Sequence, residues 1–293
     1  MYAVGMLLGP ASQRQRNSSC ITDTILYKEY RGDTCTAMTS TTSEAPESSL
    51  QREKNSLPSQ QELWIEYQSK GTSNVSEKDS IRLDAVKRVV GLDIEWISGT
   101  EGVCVAAELP FPLVESVPPV FTSHHHLTDV PYTPGFLGFR EVDAYQQVLK
   151  RIDIDEQDEV VILVDGNGIL HPRCFGSASH LGVTTDLCTI GVAKHLHQCV
   201  HKSERAIKTK MLQEGLLEYD LYSPQTSQGV LPRLVGRAIR FNEKIVNPIY
   251  VSVGNRISLD TACAIVKRCM KFRIPEPTRL ADIEAYRLSR TAE

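Results

Sequence analysis

Three carboxylates in this 293-residue chain stand where an acid is costly unless something answers its charge. Asp93 lies inside the apolar run Val89-Val90-Gly91-Leu92-Asp93-Ile94, and desolvating an unpaired carboxylate costs several kcal/mol. Asp165 ends the apolar run Val160 to Val164, a place where open α/β sheets hold their ligands. Glu141 opens a helical pattern just after an aromatic and glycine-rich turn, Pro131 to Arg140. Together these are the pieces of a hard-cation site, because Mg²⁺ takes oxygen ligands and keeps several waters free to meet a phosphate. Each residue also has an ordinary reading. An Asp before Gly-Asn-Gly commonly forms a turn, and a Glu in the first turn of a helix answers the helix dipole.

Other sites are weaker. The run Gly166-Asn167-Gly168 has His171 where a dinucleotide fingerprint needs its third glycine, and no GxxxxGK[ST] phosphate loop is present. His124-His125-His126 resembles a metal tract but lacks partner residues, so it reads as a polar edge strand. The eight cysteines include no CxxC pair; Cys104 and Cys188 sit in apolar, strand-like runs, as buried free thiols do. Without a secretory apolar segment, a reducing compartment is expected, cytoplasm, nucleus or nucleolus.

The elements that must position these residues begin late in the chain. Residues 1–60 are rich in Ser, Thr, Gln and Asn and read as a disordered extension, with 61–293 as the folded domain. Glu62 to Lys70 begins a helix. Arg88 to Ile97 and Val103 to Leu109 read as strands, and Val117 to Leu127 as a weaker third with a Pro-Pro interruption. Glu141 to Ile152 has helical spacing. Val160 to Val164, Cys188 to Val192 and Pro248 to Val253 are further strands, and Ser258 to Lys271 a further helix. Hairpin-linked strands followed by alternating helices and strands predict a mixed β-sheet flanked by helices, an α/β fold.

A hydrophobic share of 41% with 23% charged residues excludes collagen, coiled coil and wholesale disorder. The longest apolar runs fall far short of the roughly 20 residues a bilayer span needs, so no membrane partner is expected. The net charge of −4 conceals an imbalance: residues 231–279 hold ten Lys and Arg against three acids, which predicts a basic C-terminal face.

Several blocks carry a family resemblance. Arg88 to Ile97, the PYTPGFLGFRE block from Pro131 to Glu141, and the VDGNGILHPR block from Val164 to Arg173 resemble endonuclease V in order and spacing. So do Ser179 to Val183, Ile190 to Lys194 and Phe272 to Asp282, and the likeness covers about residues 62–290. It implies a ribonuclease-H-like fold and Mg²⁺-dependent cleavage, with Mn²⁺ as substitute, of single-stranded RNA or DNA containing inosine or deoxyinosine. The cut would fall at the second phosphodiester 3′ to the hypoxanthine nucleotide, leaving 3′-hydroxyl and 5′-phosphate ends.

Carried over by the resemblance, Asp93, Glu141 and Asp165 match metal-binding carboxylates, and Asp282 a fourth position of that site. Lys194 and His171 match polar active-site positions. Tyr132, between Pro131 and Pro134, matches a wedge beside the displaced base. Gly135, Leu137 and Gly166 match the hypoxanthine pocket, where a missing Cβ lets backbone amides approach the base edge. The expected assembly is a monomer, with no protein partner indicated.

Two residues depart from the family pattern. Glu95 adds a carboxylate two residues after Asp93, free to add a ligand, raise a neighbour's pKa or repel phosphate. Asn255 stands where His is expected and cannot titrate near neutrality, which puts a proton relay there in doubt. The alternatives are an inosine-binding protein that does not cut, and a ribonuclease-H-like nuclease blind to hypoxanthine.

Overall fold

The computed structural model describes residues 58–154, 159–197, 199–224 and 231–291. The expectation of disorder for the N-terminal extension therefore lies outside the described residues, apart from its last few positions. Helix α1, Gln60–Thr72, starts on a Ser59 capping box with Glu62 at its third position.

Eight strands form one sheet in the order β3-β2-β1-β4-β5-β8-β7-β6. Strands β1 (Arg88–Trp96), β2 (Glu101–Pro110) and β3 (Val120–Leu127) are an antiparallel meander. Strands β4 (Val160–Asp165) and β5 (Thr189–Ala193) then run parallel to β1, and β8 (Ile249–Asn255) pairs antiparallel with β5. The α/β, ribonuclease-H-like expectation holds. β3 begins at Val120, after Pro118 and Pro119, because proline has no N–H to give a ladder. Its three histidines do lie on an edge strand.

The short strands β6 (Glu218–Tyr222) and β7 (Leu234–Ile239) were not expected from sequence, nor were helices α3 (Ser177–Thr185), α4 (Glu204–Gln213) and α6 (Glu276–Ser289). Helix α2 runs Leu137–Leu149, one turn earlier than predicted. Glu141 is thus in the second turn rather than at the start, and the helix dipole does not account for it.

Both faces of the sheet are covered. On one face, Val142, Tyr145 and Val148 of α2 and Leu181 of α3 pack against Val90, Leu92, Ile162 and Val164. On the other, Val161 and Leu163 pack with Ile265 and Val266 of α5 (Leu259–Arg268), while Ala281 and Ala285 of α6 lie on Val103, Val105 and Ala107 of β2. Strand side chains alternate between faces. Gly91, Asp93 and Asp165 therefore share the α6 face. A Cβ on Gly91 would overlap the backbone of Pro277, so only glycine lets α6 approach β1 this closely.

The six described cysteines are free thiols, five of them buried. Of the ten Lys and Arg in 231–279, Arg233, Arg237, Arg256, Lys267, Lys271 and Arg279 are ion-paired. Arg240 and Arg273 donate to backbone carbonyls. Most of the positive count is answered by an acid or a carbonyl. No helix among the described residues is long and apolar enough to cross a membrane.

Candidate active site

Asp93, Asp165 and Asp282 converge, with one carboxylate oxygen from each lying within 4.8 Å of the others, an acidic cluster able to hold a metal ion. Strand alternation delivers Asp93 from β1 and Asp165 from the end of β4, and the close approach at Gly91 delivers Asp282 from α6. Lys194, just after β5, reaches the cluster with its Nζ 2.5 Å from Asp165 and 3.2 Å from Asp282. Burial, then the neighbouring Asp165, holds the Asp93 carboxyl well above its ordinary range; burial also raises Asp165, with Lys194 opposing. Burial alone would lower the Lys194 ammonium, but Asp165, Asp93 and Asp282 together outweigh it and raise the group.

Glu141 is not among the three. It comes from α2 on the opposite face of the sheet, buried to 5% exposure, with the Tyr145 hydroxyl donating to it at 3.2 Å and the Trp96 indole also bonded to it. Burial pushes its carboxyl up to about 8. Glu95 is not in the cluster either. Asn255 lies away from it: its Oδ1 accepts from the Ser76 N–H at 2.9 Å, and its Nδ2 donates to the Gly182 carbonyl at 2.9 Å. It clamps two segments together and has no place in a proton relay.

Immediately after Asp165 the chain enters a cavity of about 100 Å³. Tyr132, Pro134, Gly135, Leu137 and Gly166 line it, all expected from the resemblance, together with Gln68, Asn167, His171, Ser177 and His197. Pro131 is exposed and does not line it. Tyr132 stands 67% exposed at the rim. The Asn167 Oδ1 is buried without a hydrogen-bond partner among the described residues, an acceptor in want of a donor.

His171 belongs to this cavity, not to the carboxylates. The Arg173 N–H donates to its Nδ1 at 3.2 Å, which leaves the proton on Nε2 to be donated to the Gly135 carbonyl at 3.1 Å. Burial pushes its pKa down to about 4, so it stays neutral. His180 packs among Tyr67, Phe139 and Phe175, with centroids 4.9, 5.1 and 5.6 Å away.

Arg140 lies over the Trp96 ring at 3.6 Å and donates to the Val130 and Gly99 carbonyls, tying the Pro131–Arg140 segment to the β1–β2 hairpin. Gln68, Asn167, Ser177 and Tyr145 were not singled out from sequence. Asn167 alone carried a local signal, as the polar residue within the glycine pair.

Comparison with known proteins identifies the family. The chain matches the Endonuclease V family over residues 69–283. It is 37% identical to mouse endonuclease V over 238 residues, covering 76% of this chain and 68% of that protein. With endonuclease V of Nostoc punctiforme the identity is 38% over 227 residues, covering 77% and 93%. The crystal structure of human endonuclease V superposes with a TM-score of 0.68 at 32% identity, covering 79% of this chain and 98% of that one. A Ciona intestinalis endonuclease V, solved with a 24-residue DNA containing an inosine followed by a ribo-adenosine, superposes at 0.71 with 30% identity, covering 80% and 99%. The chain is an endonuclease and belongs to the endonuclease V family.

Proposed function

We propose that the protein cleaves single-stranded RNA or DNA at the second phosphodiester 3′ to inosine, leaving 3′-hydroxyl and 5′-phosphate ends. The observation that carries this reading is one short loop: Asp165 of the acidic cluster is followed directly by Gly166 and Asn167 of the cavity. A base held in the cavity is thereby tethered within a nucleotide or two of the cluster. Hypoxanthine offers an N1–H donor where adenine offers only an acceptor, and the unpartnered Asn167 Oδ1 is an acceptor that suits it.

The residues present fit a divalent cation. Three buried or half-buried carboxylates lie together, burial raises two of them, Asp93 and Asp165, above their ordinary range, and a lysine ammonium already partly answers the group. Asp93, Asp165 and Asp282 would hold Mg²⁺, or Mn²⁺ in its place, with Glu141 flanking from the α2 face. Such an ion activates water and neutralises charge on the phosphate. Lys194 adds a point cation to the same charge. Tyr132 supplies an aromatic face at the rim to occupy the gap that an extruded base leaves.

The test is cleavage of labelled single-stranded RNA and DNA, each with one inosine or one adenosine, in Mg²⁺ and in Mn²⁺. A cut one nucleotide beyond the inosine and none at adenosine is the expected result. Cleavage indifferent to the base would overturn the assignment.

A further inference from the structure

We infer that Gln68 is a positioning residue of the base pocket, locking the Thr133–Phe136 turn to the loop of residues 166–176. The inference rests on reading the cavity as the hypoxanthine pocket. Gln68 lies on α1, one residue before the stretch matched to the family, and is 2% exposed. Its side-chain nitrogen donates to the Gly135 carbonyl at 3.1 Å and to the Phe175 carbonyl at 3.0 Å, and its oxygen accepts from Arg173 Nε. Both donors of the carboxamide are used, one on each wall of the cavity.

The Gly135 carbonyl is the meeting point. It also accepts from Arg173 Nη2 at 2.5 Å and from His171 Nε2 at 3.1 Å. Gly135 has φ +79°, and the Phe136 N–H closes the turn onto the Thr133 carbonyl at 3.0 Å. Proline second and glycine third with positive φ make a type II turn. Such a turn in an exposed segment is soft unless something outside holds it. Here three donors converge on the one glycine carbonyl, and Tyr132, Pro134 and Gly135 are held as a unit facing the cavity.

Gln68 can do this because its own helix is anchored. Trp64 stacks on Phe139 at 5.0 Å, Tyr67 packs on His180 at 4.9 Å, and Thr72 Oγ1 donates to the Arg173 carbonyl at 2.9 Å. A group that touches a binding shell from a rigid element sets its shape more firmly than one on a loop. Gln68 lies 67 residues from Gly135 and 107 from Phe175 in sequence. No local pattern announces it.

The test uses the full chain with Gln68→Leu and Gln68→Glu. The second keeps an oxygen for Arg173 and removes both donations. KM and kcat are measured separately on a single-stranded inosine oligonucleotide in saturating Mn²⁺, with thermal unfolding and Mn²⁺ binding alongside. Both variants are expected to raise KM about ten-fold with kcat within about three-fold of wild type and Mn²⁺ binding unchanged. Should Gln68→Leu fail to fold, Gln68→Glu carries the test alone. Wild-type KM in either folded variant, or a loss of kcat at unchanged KM, overturns the inference. Wild-type protein that ignores inosine sinks the pocket reading, and this inference with it; wild-type cleavage with an unmoved KM sinks Gln68 only.

Discussion

The acidic cluster and the cavity share one loop, yet they are built on opposite terms. In the cluster, three carboxylates are pressed together around a single lysine, and burial raises the pKa of Asp93 and Asp165. In the cavity, the glycine turn, His171, Arg173 and Gln68 satisfy one another, and the Asn167 acceptor is left over. On the proposed reading a cation would complete the first region, whereas the second is built, but for that one acceptor, before anything binds. Base selection would then be carried by a rigid shape, and hydrolysis by charge supplied from outside.

The largest effect should come from removing the residue where the two regions join. Asp165→Ala takes away a cluster carboxylate and should cut cleavage about 10³-fold or more. Binding of an inosine oligonucleotide should be largely retained, as checked by gel shift. Loss of both together would mean the regions are not separable.

Buried groups around the two regions should also answer pH in opposite directions. His171 and His180 are each held at about 4 by burial, below the ordinary 6.5. Their contribution is present above pH 6.5 and lost as pH falls toward 4, on the order of 3 kcal/mol each. Glu141 is raised from 4.5 to about 8 by burial, so its contribution is full below pH 4.5 and lost as pH rises through 8. Metal-free protein should therefore lose thermal stability along an acid arm and an alkaline arm. Mg²⁺ should flatten only the alkaline arm, since carboxylates bind it once deprotonated. A metal effect confined to the acid arm would contradict the picture.

Asn255→Ala tests a residue assigned to the scaffold. Losing its bonds to Ser76 and Gly182 should cost about 1–3 kcal/mol in urea unfolding and leave kcat unchanged. The smallest effect is expected at Glu95, outside the acidic cluster; Glu95→Gln should change stability by less than about 0.5 kcal/mol and cleavage by less than about two-fold. A ten-fold rise in cleavage would mean that this acid repels the phosphate.

Where the sequence was legible, the chemistry was local. Asp93 inside an apolar strand and Asp165 at the end of one announce themselves by what surrounds them, whereas the glycines at 135 and 166 entered through the family resemblance. Glu141 shows the limit: its position after the turn was readable, but which face of the sheet it approaches depends on how β1 pairs with β4 and where α2 packs. Asn255 stood out because the family resemblance expects His there; its partners, 179 and 73 residues away, reveal a clamp. In the basic run 231–279, charge counted along a chain says nothing of the acids that β6, α5 and distant loops bring to it. Gln68 was invisible for the same reason.

The measurement closest to the central claim is equilibrium binding of single-stranded inosine and adenosine oligonucleotides in excess chelator, followed by addition of Mg²⁺ to the same complexes. Selective binding of the inosine strand without metal, with cleavage beginning only on addition, is the predicted result. Equal binding of the two strands until Mg²⁺ arrives would contradict it, because the pocket would then depend on the very ion it is held to precede.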